Sequence, residues 1–141
     1  MKVKKVNRYY CDFCKKSGCS KFHILKHEKY CTLNPNRECR MCKILDDSPV
    51  AMSELVKVLP RIEDYKKEES KDLLHSYSYY EGFTENVNEA LSKLRLITGD
   101  CPACILAAIR QAKIPVPMIE KFDYKKEVEL FWEKINSDVG Q

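Results

Sequence analysis

The amino-acid sequence points to a mainly α chain in two parts, a short N-terminal module over residues 1–35 and a helical body over residues 36–141. Three observations carry this reading. Apolar residues recur at helical spacing in several stretches between residues 53 and 135. Six of the eight cysteines form three C-x-x-C pairs, at 11/14, 39/42 and 101/104. Positive charge is gathered at one end: residues 1–45 hold twelve Lys and Arg against three acids, a balance of +9, which leaves −5 for the rest of a chain whose net charge is +4.

Composition narrows the field. At 141 residues and 16.5 kDa, the chain fits one domain or one small domain with an appendage. Apolar residues make up 44% and charged residues 33%, enough for a modest core and too balanced for a disordered chain. No run approaches the ~18 consecutive apolar residues of a membrane span. The opening MKVKKVNRYYCDF is charged and lacks the apolar segment of a secretory signal, so a cytoplasmic, reducing location is expected and disulfides are the weaker reading. Phosphate-loop, dinucleotide, nucleophile-elbow and H-E-x-x-H motifs are absent.

The elements follow in order. Val6–Tyr10 reads as a short extended stretch leading into Cys11-x2-Cys14. Ser20 is a good N-cap for a helix that stops before Pro35, where Asn34-Pro35-Asn36 breaks it. His27 and Cys31, four apart, share one face of that helix. Cys11-x2-Cys14-x12-His27-x3-Cys31 therefore closes a tetrahedral Zn2+ site with no open position, and a segment this short needs the metal to fold. His23, one turn before His27, is a competing ligand that the twelve-residue gap disfavours. Cys19 is left over as a free small residue.

Cys39-Arg-Met-Cys42 follows after a short turn, and Cys101-Pro-Ala-Cys104 comes later in the chain. Two such knuckles make a four-cysteine Zn2+ site, since ligands need only meet in space. That gives two zinc ions per chain. Two alternatives stay open at the second site. C-P-A-C at a helix start resembles a thioredoxin-type redox motif, with Leu94–Thr98 as its preceding strand, and the thiols could also be unmetallated.

The body reads as helices. Ser53–Leu59 carries Leu55, Val56 and Leu59 and ends at Pro60. Arg61–Tyr80 is charge-rich, with Ile62, Tyr65, Leu73, Leu74 and Tyr77 as a sparse stripe, and reads as an exposed helix containing His75. The aromatics Tyr77, Tyr79, Tyr80 and Phe83 read as core in preference to a base-stacking platform. Thr84 caps a helix over Glu85–Ile97 that Gly99 closes. Asp100 caps the next, Cys101–Lys113, with Pro102 in its first turn. Ile114–Pro117 is a rigid extended link, and Asp123–Ile135 is a last amphipathic helix.

Residues 9–33 resemble the zinc finger of two cysteines and two histidines, in the variant whose last ligand is a cysteine. Tyr9 and Ile24 stand in the aromatic and apolar slots that the family prefers. Gly18 departs from an aromatic slot, which Phe13 or Phe22 would fill. The resemblance implies a ββα-like module. It would turn Ser20, Phe22, His23 and Lys26 toward a nucleic-acid groove. The block from Tyr9 to Cys42, with its Asn-Pro-Asn-Arg turn, also resembles small phage and prophage zinc-finger proteins, which implies a bacterial or host cytoplasm.

The favoured function is therefore nucleic-acid binding by an accessory or regulatory protein, through Lys15, Lys16, Ser20, Lys21, His23, Lys26 and Lys29. A protein-interaction module, such as a phage factor binding a host protein, is the alternative. A thiol-disulfide oxidoreductase using Cys101 and Cys104 is more remote. No catalytic set is assembled, so the chain reads as a non-enzyme with no small-molecule substrate and no membrane partner.

Overall fold

In a computed structural model of the chain, residues 1–45, 50–70 and 75–139 are described. Tyr9–Tyr10 (β1) and Ser17–Gly18 (β2) pair antiparallel, Tyr9 opposite Gly18, and so bracket the turn that carries Cys11 and Cys14. The helix α1 follows over Lys21–Tyr30. Ser20 caps it, its Oγ accepting from the His23 amide at 3.4 Å. The helix ends at Cys31, ahead of the Asn34-Pro35 turn. Buried Asn34 builds that turn: its Nδ2 donates to the Glu28 carbonyl at 2.8 Å and its Oδ1 accepts from the Asn36 amide at 2.9 Å.

Cys39 opens a short helix, α2 (Arg40–Ile44). The body adds α3 (Met52–Val58), α4 (Phe83–Thr98), α5 (Pro102–Gln111) and α6 (Tyr124–Val139), making six α-helices among the described residues. The sequence of α5 is apolar on every side, and Pro102 and Cys104–Ile109 are all buried. It is the central helix, with α3, α4 and α6 packed on it. In α4 the positions Val87, Ala90, Leu91 and Leu94 form the stripe that meets it. No helix among the described residues is long and apolar enough to cross a membrane.

Several expectations are corrected. Residues 61–80 are not one helix. A 3-10 turn over Ile62–Tyr65 leads into an antiparallel hairpin of β3 (Lys66–Ser70) and β4 (Ser76–Tyr80), with Glu69 opposite Tyr77. Ser-Tyr-Ser-Tyr-Tyr favours a strand, and the interleaved charges of Lys66–Glu69 do not override it. His75 directly precedes β4 and is not helical, while Leu73 and Leu74 lie outside the described residues. Tyr77 and Tyr80 are exposed on the hairpin; of the four aromatics expected in the core only Phe83 is buried there.

Helix starts also shift. Gly82 stands at the N-cap of α4 with φ 75°, a left-handed turn that costs glycine least, so Thr84 is not the cap. Asp100 does not cap α5: at φ 61° its amide donates to the Arg95 carbonyl at 3.0 Å, which makes it part of the end of α4. Val116–Met118 is a 3-10 turn where an extended link was expected. The last helix runs on past Ile135 to Val139, and Asp123 Oδ1 accepts from the Lys126 amide at its start.

Candidate metal centres

Both sets of four side chains converge. The ligand atoms of Cys11, Cys14, His27 and Cys31 lie within 4.8 Å of one another, and so do those of Cys39, Cys42, Cys101 and Cys104. Each group could hold a metal ion. All eight cysteines are free thiols, so no disulfide competes for them.

The first cluster is assembled by local hydrogen bonds. The Phe13 amide donates to Cys11 Sγ and the Lys16 amide to Cys14 Sγ, each at 3.4 Å. The Cys11 amide closes the loop on the Lys16 carbonyl at 2.9 Å. From α1, His27 brings Nε2 to 3.1 Å from Cys14 Sγ. Burial pushes the His27 pKa below its ordinary value, and the Lys16 charge adds to this, so the ring is neutral at pH 7 and free to ligate. Burial also pushes the Cys31 thiol up to about 11. At Cys14 burial raises the pKa too, but the Lys16 amide, the Cys11 and Cys31 thiols and the Lys16 charge outweigh it and lower it overall. His23 stays outside the cluster, exposed and edge-on to Phe22.

The second cluster joins two helix starts. Cys39 and Cys42 come from the first turn of α2, Cys101 and Cys104 from that of α5. Cys39 Sγ is 3.5 Å from Cys101 Sγ, and Cys42 Sγ is 3.6 Å from Cys104 Sγ. Sulfurs around a tetrahedral zinc at 2.3 Å stand about 3.8 Å apart, whereas a disulfide needs about 2.05 Å. All four residues are buried. Hydrogen bonds from Cys101, then Cys104, hold the Cys39 thiol far below its ordinary pKa. Burial, aided by the Cys101 and Cys39 charges, pushes Cys42 up to about 12. Cys104 is raised by its hydrogen bonds with Cys101 and Cys39 and then by burial. At Cys101 the hydrogen bond with Cys104 lowers the pKa, but that with Cys39, together with burial, raises it overall. Four sulfurs this close, with the Cys39 thiol pulled toward its ionised form, suit a dication.

The remaining candidates sit around α1. Lys15, Lys16, Lys21, Lys26 and Lys29 are all exposed. Lys29 is shared with Glu38 at 3.4 Å, and the Ser20 hydroxyl is engaged in its cap. Neither Phe13 nor Phe22 is buried beside Gly18; Ile24 packs there, its Cδ1 3.7 Å from where a Cβ would stand. Leu94–Thr98, the strand that a redox motif would need, is the last turn of α4.

In the sequence, Arg37 and Arg40 stand out only as charge. The Arg40 guanidinium lies 4.1 Å from the Tyr30 ring centroid, and Arg37 Nε donates to the Tyr30 carbonyl at 3.4 Å. The aromatic at the end of α1 followed by two arginines was the signal available. No family model, curated protein or solved structure matches this chain.

Proposed function

We propose that this protein is a two-zinc, nucleic-acid-binding accessory protein. Its N-terminal β1-β2-α1 unit acts as a ββα-like finger closed by Cys11, Cys14, His27 and Cys31, and Cys39, Cys42, Cys101 and Cys104 bind a structural zinc within the body. The donor sets fit that metal: seven thiols and one neutral imidazole, in two groups of four. Each group is complete without water, so the ions would hold the fold and leave no position for chemistry. The resemblance to small phage and prophage finger proteins belongs to the same reading.

The observation that carries nucleic-acid binding is the concentration of cations over the finger and the short segment after it, a balance of +9 over residues 1–45, with Lys15, Lys16, Lys21, Lys26 and Lys29 exposed. Phosphate contacts release counterions, so affinity should fall steeply with salt. The test is a binding titration of the zinc-loaded protein with labelled oligonucleotides at low and moderate salt. Affinity that does not change between the two would remove the electrostatic reading. A protein partner is the second reading, favoured by Phe22 and Leu25, which are 70% and 56% exposed on α1. One stoichiometric protein that copurifies in the absence of nucleic acid would select it. Burial of Cys101 and Cys104 counts against thiol exchange, which needs an accessible thiolate.

A further inference from the structure

We infer that the nucleic-acid strand binds single-stranded, in a basic cleft between α1 and the body, and not with α1 laid in a duplex groove; this rests on the nucleic-acid reading above. A cleft of about 450 Å3 runs along α1, within the ~300–1,000 Å3 range of ligand sites. Lys16, His23 and Lys26 line it from the finger, Arg37 from the turn that follows and Arg40 from the start of α2. Ala103 of α5 and Tyr124 at the start of α6 form the facing wall. No carboxylate among the described residues lines it. Glu38, the nearest acid in sequence to both arginines, is taken up by Lys29 and Lys43.

The wall decides the form of the nucleic acid. A recognition helix enters a major groove about 12 Å wide and needs its flanks free. Here the flank carrying His23 and Lys26 faces the body. The body is fixed there, because Gln111 of α5 donates to the carbonyls of Thr32 and Asn34 at 2.9 and 3.1 Å. A single strand, slimmer than a duplex, would lie in such a cleft with its phosphates on the cations. Arg40 suits this: its guanidinium stands 4.1 Å from the Tyr30 ring centroid on the lining of the cleft, and its several N–H donors match a phosphate. Tyr124, 39% exposed, offers a ring to a base.

The test uses the zinc-loaded full chain and fluorescence anisotropy, with a labelled oligodeoxythymidine and a duplex of the same length. Lys26→Ala/Arg40→Gln changes the cleft, and Lys15→Ala/Lys21→Ala removes equal charge outside it. The strand should bind more tightly than the duplex. The cleft variant should lose about tenfold or more, and its log–log salt slope should fall by about 1.4, at about 0.7 per lost phosphate contact. The comparison variant should lose far less. Tyr124→Leu, which leaves charge and cysteine clusters alone, should weaken the strand about fivefold or more. Equal losses in the two charge variants, or a duplex bound at least as tightly, would overturn the cleft and leave nucleic-acid binding standing. No binding of either oligonucleotide at low salt would overturn both.

Discussion

Gln111 holds Thr32 across seventy-nine positions of sequence: its Nε2 donates to the Thr32 carbonyl at 2.9 Å, and also to that of Asn34 at 3.1 Å. Arg110 adds a second tie, Nη1 to Thr32 Oγ1 at 3.0 Å. The last turn of the central helix thereby satisfies the backbone just beyond Cys31. The N-terminal module is thus docked on the body by hydrogen bonds as well as by its chain connection.

Replacing Gln111 with leucine keeps the bulk and removes the donor. Two half-buried carbonyls then lose their protein partner, at about 1–3 kcal/mol. Urea unfolding of the zinc-loaded protein should show that loss, with both zinc ions retained. A change under about 0.5 kcal/mol, the usual surface effect, would mean that water replaces the amide at no cost.

Removal of zinc should act unequally on the two parts. Apart from the residues of its Cys/His cluster, the module's buried residues are Ile24 and Asn34, too little to order residues 1–35 without an ion. The body has a core of its own, with Leu55, Phe83, Val87, Leu94, Ile105 and Ile109 fully buried. Chelation should therefore cost the helical signal of α1 and α2 while a cooperative melting transition persists at lower temperature. Circular dichroism with thiol counting checks this: the exposed Cys19 should react before chelation and all eight cysteines after it. Full retention of the helical signal after metal loss would contradict it.

How much of this was legible in the sequence depends on where each signal lies. Both four-residue clusters were readable because C-x-x-C spacing, and His-x3-Cys spacing on a helix, fix local geometry whatever joins the pairs. The stripe of α4 and the apolar run of α5 were readable because burial there follows helical period. The 66–80 hairpin was not, because alternating charges suit an exposed helix as well as an exposed strand, and Tyr-rich β4 decided between them. The cleft was invisible because Arg40 and Tyr124 are far apart in the chain and come to line one cavity only in the folded chain.

Loading the second cluster should release three protons. Hydrogen bonds lower the Cys39 pKa, whereas those of Cys42, Cys101 and Cys104 are raised above their ordinary 9.0. Zinc must displace those protons, so below pH 9 its apparent affinity should gain about three decades per pH unit. The signs then separate. In the metal-free protein the Cys42 contribution is whole below 9.0 and is lost as pH rises toward about 12. In the loaded protein stability is lost as pH falls. Proton release by Cys11→Ser/Cys14→Ser, measured with an indicator in weak buffer, gives the count. Four protons would show Cys39 protonated before loading, and none would exclude thiolate ligation.

Arg95 fastens α6 to α4. Its Nη1 pairs with Glu127, Nη2 donates to the Lys121 carbonyl at 3.1 Å, and Asp100 stands at 3.8 Å. The second carboxylate oxygen of Glu127 is buried without a hydrogen-bond partner among the described residues. Arg95→Met should then leave a poorly solvated charge. The two side chains keep 30% and 17% exposure, which places the cost below that of a fully buried pair, at about 1–3 kcal/mol. Adding Glu127→Leu removes the stranded carboxylate and should recover most of the loss. Denaturant titration of the single and double variants decides between this and a pair that contributes nothing, for which both would match the parent. Because Tyr124 opens α6 and forms the far wall of the cleft, the single variant should also weaken strand binding, and the double variant should restore it.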